Sequence, residues 1–256
     1  PYLPENAQLL PEPEKEISHP TLIEASEGLK LYYGQDTEFQ RPKASINYKI
    51  FIDKQFTDIH SQTLLNLYVA SVKESMNEAS YPARLAGMEF FVSNDEEGIS
   101  ITVNGYHDTI DELLQEILNN MRDLSLPEER FNALKDKKIR DWKNVALGNA
   151  YQIAREKMRT MIREIYFDSA ELAAAAENVS LQDVQSFSKT LLERGYVQAL
   201  VYGNISQSQA VKNTNLIYDI LDMKPLAKEE AVLQRRLSFK EGDDLNVVVE
   251  SEVNNS

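Results

Sequence analysis

The chain has 256 residues, 42% hydrophobic and 9% aromatic, enough to bury a core as one large α+β unit or two small ones. A formal charge of −14 argues against a phosphate-binding surface, which needs clustered Lys and Arg, and the absence of cysteine removes disulfides, thiolate metal sites and Cys nucleophiles together. No apolar run approaches the ~20 residues of a membrane helix, no charged-then-apolar leader opens the chain, and Pro1 in place of Met marks an expected segment of a longer polypeptide.

Residues 1–20 carry Pro1, Pro4, Pro11, Pro13 and Pro20 with Glu between them, a composition that prevents a helix or central strand and predicts an extended linker. Thr21–Ala25 and residues 29–33 read as a hairpin turning at Glu27-Gly28, and residues 44–52 alternate Ile46, Tyr48, Ile50 and Ile52 as a half-buried strand. The chain is organised around residues 58–87. There Leu64, Leu65, Tyr68, Val72 and Met76 recur at three- and four-residue spacing, one apolar stripe on a helix of about five turns starting near Asp58. Residues 88–92 and Gly98–Tyr106 follow as two strands around a turn at 94–98, a hairpin for that helix to lie on.

Asp108 is placed to cap a helix with the stripe Ile110, Leu113, Leu114, Ile117, Leu118 and Met121. Pro127 with Glu128 and Glu129 opens the next, facing inward with Phe131, Leu134, Trp142 and Val145, and the stems of Lys135 and Lys138 are expected to cover Trp142. Gly148-Asn149 breaks that helix. Another follows on Tyr151, Ala154, Met158, Met161, Ile162 and Ile165, its two Met expected to fill the core. Ser180 with Asp183 forms a capping box ahead of Leu181, Val184, Phe187 and Leu191, with Gly195 as the stop. Residues 196–202 read as a strand, and Gly203-Asn204 turns into a last helix capped by Ser206, carrying Ala210, Val211, Ile217 and Leu221 and stopped by Pro225. Residues 236–239 and 245–253 read as strands around Gly242. This order predicts an α+β fold, an antiparallel sheet covered by helices on one face.

Between residues 130 and 163 ten Lys or Arg stand against Asp136, Asp141 and Glu156 in an otherwise acidic chain. A solvated helical face is expected, with a docking or substrate-facing surface as the alternative. The only histidines are His19, His60 and His107. A zinc hydrolase needs three protein ligands and a base, commonly two His one turn apart with a Glu alongside, and no such pair occurs. Neither a Gly-rich phosphate loop nor a Gly-x-Ser-x-Gly elbow is present. Catalytic, cofactor-binding and metal residues are therefore all assigned as none.

A series of short landmarks points further. It runs Pro1-Tyr2-Leu3-Pro4-Glu5-Asn6, then Leu31-Tyr32-Tyr33-Gly34-Gln35-Asp36 with Phe39 and Pro42-Lys43-Ala44, Leu67-Tyr68, and Asn77-Glu78 with Tyr81, Ala83 and Leu85-Ala86-Gly87. Gly105-Tyr106, Glu129-Arg130-Phe131 with Lys135, Gly203-Asn204-Ile205 and Glu252-Val253-Asn254-Asn255-Ser256 complete it. In this order and spacing they resemble the middle (third), non-catalytic domain of the insulinase and pitrilysin family of zinc metallopeptidases, the inverzincins.

The resemblance implies a processing-peptidase-like domain over residues 21–240, a linker over 1–20, and in 241–256 the connection to, or first strand of, a further domain. It also implies a parent of four similar domains closing around a chamber that admits peptides, with zinc held by a His-x-x-Glu-His helix elsewhere in the parent and none in this segment. If His60 takes the first position of that motif, Thr63 stands where the Glu belongs and Leu64 where the second His belongs. Expected partners are the other domains of the polypeptide and peptide substrates, with neither nucleic acid nor a membrane span; by analogy with pitrilysin the compartment is the bacterial periplasm. The alternative is a structural or peptide-binding subunit whose parent has no peptidase activity.

Overall fold

Burial alternates along the strands, and that alternation sets the layers. The computed structural model describes residues 2–11, 19–244 and 246–248. Strands β1 (Thr21–Ala25), β2 (Leu29–Gln35), β3 (Lys43–Phe51), β4 (Glu89–Asp95), β5 (Gly98–Tyr106), β6 (Arg194–Gly203) and β7 (Lys224–Pro225) form one sheet in the order β1-β2-β6-β3-β5-β4, with β7 beside β6. The α+β expectation holds. Its antiparallel sheet is mixed, however: β6 runs parallel to β2 and to β7, while the other neighbours are antiparallel.

Register carries this alternation across five strands. Leu31, Ala199, Tyr48, Ile101 and Val92 stand in one row, all buried under the helices. One residue along, Tyr32, Leu200, Asn47, Thr102 and Phe91 form a row on the opposite face, exposed or half-buried.

The helices are α1 (Ile59–Ser75), α2 (Asn77–Leu85), α3 (Ile110–Arg122), α4 (Glu128–Lys143), α5 (Ala150–Ile162), α6 (Ser169–Ala176), α7 (Leu181–Leu191) and α8 (Gln207–Leu221). Helix α1 begins where Asp58 accepts the amides of His60 and Ser61, and its stripe of Leu64, Leu65, Tyr68, Val72 and Met76 is buried throughout. Tyr68 also donates its hydroxyl to the Met121 carbonyl at 2.6 Å, in the last turn of α3. The expected caps at Ser180 and Ser206 are present, the first as a complete capping box with Asp183.

Other expectations are corrected. Asp108 does not cap α3; Thr109 occupies the cap position, and Asp108 Oδ2 instead accepts the amides of Glu5 and Asn6 at 2.9 and 2.8 Å. Gly195 does not stop α7, which ends at Leu191. It lies inside β6, where a Cβ would come within 2.5 Å of Met223 Sδ, so the glycine makes room for that side chain. Helix α8 ends before Pro225, at Asp222 in the left-handed conformation. Lys138 lies over Trp142, 5.3 Å from the ring centre, but Lys135 turns away to the Val179 carbonyl at 2.9 Å. Burial, with Lys73 nearby, pulls the Lys138 ammonium below its usual pKa.

Met158 and Met161 are not core filler, because α5 buries none of its residues. Helix α6, an Ala-rich run opened by an Asp168–Glu171 capping box, had no counterpart in the sequence reading. Residues 236–239 form no strand, only a bridge between Arg236 and Arg163. Of residues 245–253, those at 246–248 are not in a strand and the others lie outside the described residues.

Candidate functional site

The first place to look for chemistry is the N-terminal half of α1. His60 is exposed, in the first turn. Thr63 is fully buried and donates its hydroxyl to the Ile59 carbonyl at 2.8 Å, and Leu64 is buried as well. Of the three positions that would carry an inverted zinc motif, two therefore point into the core and neither offers a ligand, so this helix does not fit the metal. His19 lies exposed ahead of β1. Among the described residues no group of three or more His, Cys, Asp or Glu side chains could hold a metal ion.

His107 does structural work. Its ring nitrogen Nδ1 lies 3.2 Å from Asn204 Nδ2, and its carbonyl accepts the Gln209 side chain at 2.7 Å. Asn204 also accepts the Leu10 amide and donates to the Gln8 carbonyl, while Gln35 reaches the Pro11 carbonyl at 2.8 Å. With Asp108 on Glu5 and Asn6, and Tyr2 bonded to Glu116, these contacts pin residues 2–11 in an extended path across the domain. Asn204→Ala would strip partners from two backbone groups of that strap and leave His107 Nδ1 unmatched. The expected cost is about 2 kcal/mol in a urea melt, with faster proteolysis within residues 2–11. A variant as stable and as resistant as the wild type would mean that the strap is held by other contacts.

Four of the ten basic side chains between residues 130 and 163 are used to tie neighbouring elements together. Arg130 pairs with Glu74, Lys143 with Glu177, Lys157 with Asp168 and Arg163 with Glu96. The sheet, by contrast, offers a broad surface that no helix covers. Along its open row Thr102 donates to Asn47 Oδ1 at 3.0 Å and Asn47 to Ser45 Oγ at 3.0 Å, so the central polar groups are tied into place. Around them Phe91 is 59%, Leu200 40% and Tyr32 37% exposed. Hydroxyl and amide groups between isolated apolar side chains can meet both the backbone and the side chains of an extended peptide. This face leaves no mark in any one stretch of sequence, since it joins residues from strands far apart in the chain.

A family model described as the middle or third domain of peptidase M16 matches residues 1–175, more than half of the chain. The chain belongs to that family. It is 29% identical to human insulin-degrading enzyme over 93% of its own length and 24% of that protein, so it spans about a quarter of this curated relative. Crystalline pitrilysin superposes with a TM-score of 0.79 at 21% identity, over 89% of this chain and 24% of that one. The structure titled peptidase M16 inactive domain from Pseudomonas fluorescens gives 0.59 at 12% identity, over 82% and 52%. The chain is thus a middle, or third, M16 domain, one unit of a multi-domain protein, and it has the fold seen in pitrilysin. Among its described residues no helix is long and apolar enough to cross a membrane.

Proposed function

We propose that this M16 domain forms part of the wall of a peptide-enclosing chamber in a zinc metalloendopeptidase, and that the open face of its sheet is the side turned towards substrate. The observation that carries this is the row Tyr32, Leu200, Asn47, Thr102 and Phe91, a mixed polar and apolar strip left uncovered, while the matching row Leu31, Ala199, Tyr48, Ile101 and Val92 on the other face is buried under the helices. Such a strip grips extended chains weakly and with little sequence preference, as an enclosing wall should. Zinc and the water-activating base would come from a His-x-x-Glu-His domain elsewhere in the parent, because α1 here cannot supply them.

The parent gene decides the catalytic part of the proposal: a His-x-x-Glu-His motif upstream is expected, and its absence would leave a binding subunit of the same fold. The wall is tested in the parent with Leu200→Asp and Phe91→Asp, which place charge on the open face and leave the core untouched. KM for peptide substrates should rise several-fold while kcat and zinc content stay unchanged. Unaltered KM in both variants would place the substrate against another surface. Residues 1–256 alone should not cleave a quenched fluorescent peptide.

A further inference from the structure

Helix α5 is an amphipathic helix turned inside out. Its formation is accounted for locally: Asn149 and Gln152 make a capping box, and Lys157 meets Asp168 at 2.9 Å. Neither contact explains why the apolar side faces outward, with Tyr151 66% and Met158 51% exposed. Tyr151, Ala154, Met158, Met161 and Ile162, with Arg155 and Lys157, line an open groove of about 520 Å³.

Something already lies in this groove. The Glu164 amide donates to the Arg235 carbonyl at 3.0 Å and the Leu237 amide to the Ile162 carbonyl at 2.7 Å, so the chain leaves residue 234 alongside the last turn of α5. Val247 then returns to the groove wall, itself still 49% exposed and so far from filling it. The residues leading to it include Glu241, Asp243 and Asp244, whereas α5 brings Arg155 and Lys157 to the groove. Lys157 is matched by Asp168, but Arg155, which meets the Tyr151 hydroxyl at 3.2 Å, has no carboxylate partner among the described residues.

We propose that the α5 groove is a docking site for an extended peptide that carries apolar side chains among acidic ones. Apolar side chains enter between Met158, Met161 and Ile162, where the unbranched thioethers adapt to different shapes, and a flanking carboxylate reaches Arg155. The chain's own acidic, apolar residues 241–248 are the nearest example of such a ligand, and Val247 shows where one of its side chains sits. The proposal rests on the peptide-handling reading above but concerns a surface separate from the open sheet face, so either can fail without the other.

The six methionines make the groove directly observable. With ¹³C-methyl methionine in the chain, a synthetic Glu-Gly-Asp-Asp-Leu-Asn-Val-Val peptide should shift the Met158 and Met161 signals saturably and leave buried Met88 and Met223 in place. Affinity should fall about fivefold for the peptide with Lys at its acidic positions, and similarly in the Arg155→Gln variant. That variant counts only if its other four methyl signals remain as in the wild type, which shows that it is folded; Arg155→Lys, which keeps the charge, should then bind as the wild type does. Unmoved signals, or equal affinity for acidic and basic peptides, would overturn the proposal. So would shifts that grow with protein concentration in the absence of peptide, which would assign the groove to a second copy of the chain.

Discussion

Tyr68→Ala is expected to lower stability by about 4 kcal/mol in a urea melt, as two separate losses. Tyr68 is fully buried in the middle of α1, and truncation opens a cavity worth ~3 kcal/mol. The second loss is polar. Met121 lies in the last turn of α3, where carbonyls have no partner inside their own helix, and the Tyr68 hydroxyl is the donor that satisfies this one. Burial pushes that hydroxyl's pKa well above the usual range, which favours the protonated, donating form. Tyr68→Phe keeps nearly all the volume and loses only the bond, and should cost about 1–2 kcal/mol. If Tyr68→Ala lies within ~1 kcal/mol of the wild type, α1 is not seated on α3 and the sheet as described.

Gly98→Ala should be worse, although it adds a single methyl group. Gly98 opens β5 with φ at +145°, a region that side chains rarely enter, and a Cβ there would lie 2.0 Å from the Ile50 carbonyl oxygen. That oxygen belongs to the central strand β3, whose pairing on both sides leaves it nowhere to move. A loss of at least about 4 kcal/mol, or no folded protein, is expected. Gly87→Ala is the control. Gly87 also has positive φ, at +75°, but its Cβ would meet only two side chains, Tyr106 Cε2 at 3.3 Å and Lys43 Nζ at 3.7 Å, and ~1 kcal/mol should suffice. Comparable melts for the two variants would mean that the backbone angle, and not contact with β3, sets the cost.

What the sequence made legible was whatever a single segment decides. The stripe of α1 and its start near Asp58, the hairpin of β4 and β5, and the caps at Ser180 and Ser206 are local, and all are present. Helix α6 escaped because Ala at five of its eight positions gives little contrast between faces. The stripe on α5 was visible but its direction was not, since periodicity shows that a face exists and says nothing about what covers it. Asp108 beside a helix start resembles a cap, and only the folded strap shows that its carboxylate is used by Glu5 and Asn6. The open row of the sheet depends on register between strands drawn from opposite ends of the chain, information no local window contains.

The position of β6 also governs the order in which the domain can assemble. Strands β2 and β3 are consecutive in the chain yet do not pair; each bonds instead to β6. Until Arg194 and the residues after it have left the ribosome, the sheet exists as two separate pieces, β1-β2 and β3-β5-β4, each with a bare edge. Strand β6, made after all its neighbours but the short β7, therefore joins the pieces, and pairing across so long a stretch of chain is slow. A nascent or truncated chain ending before Arg194 is not a smaller domain but a pair of open-edged fragments, the form most exposed to misassembly and most in need of a chaperone.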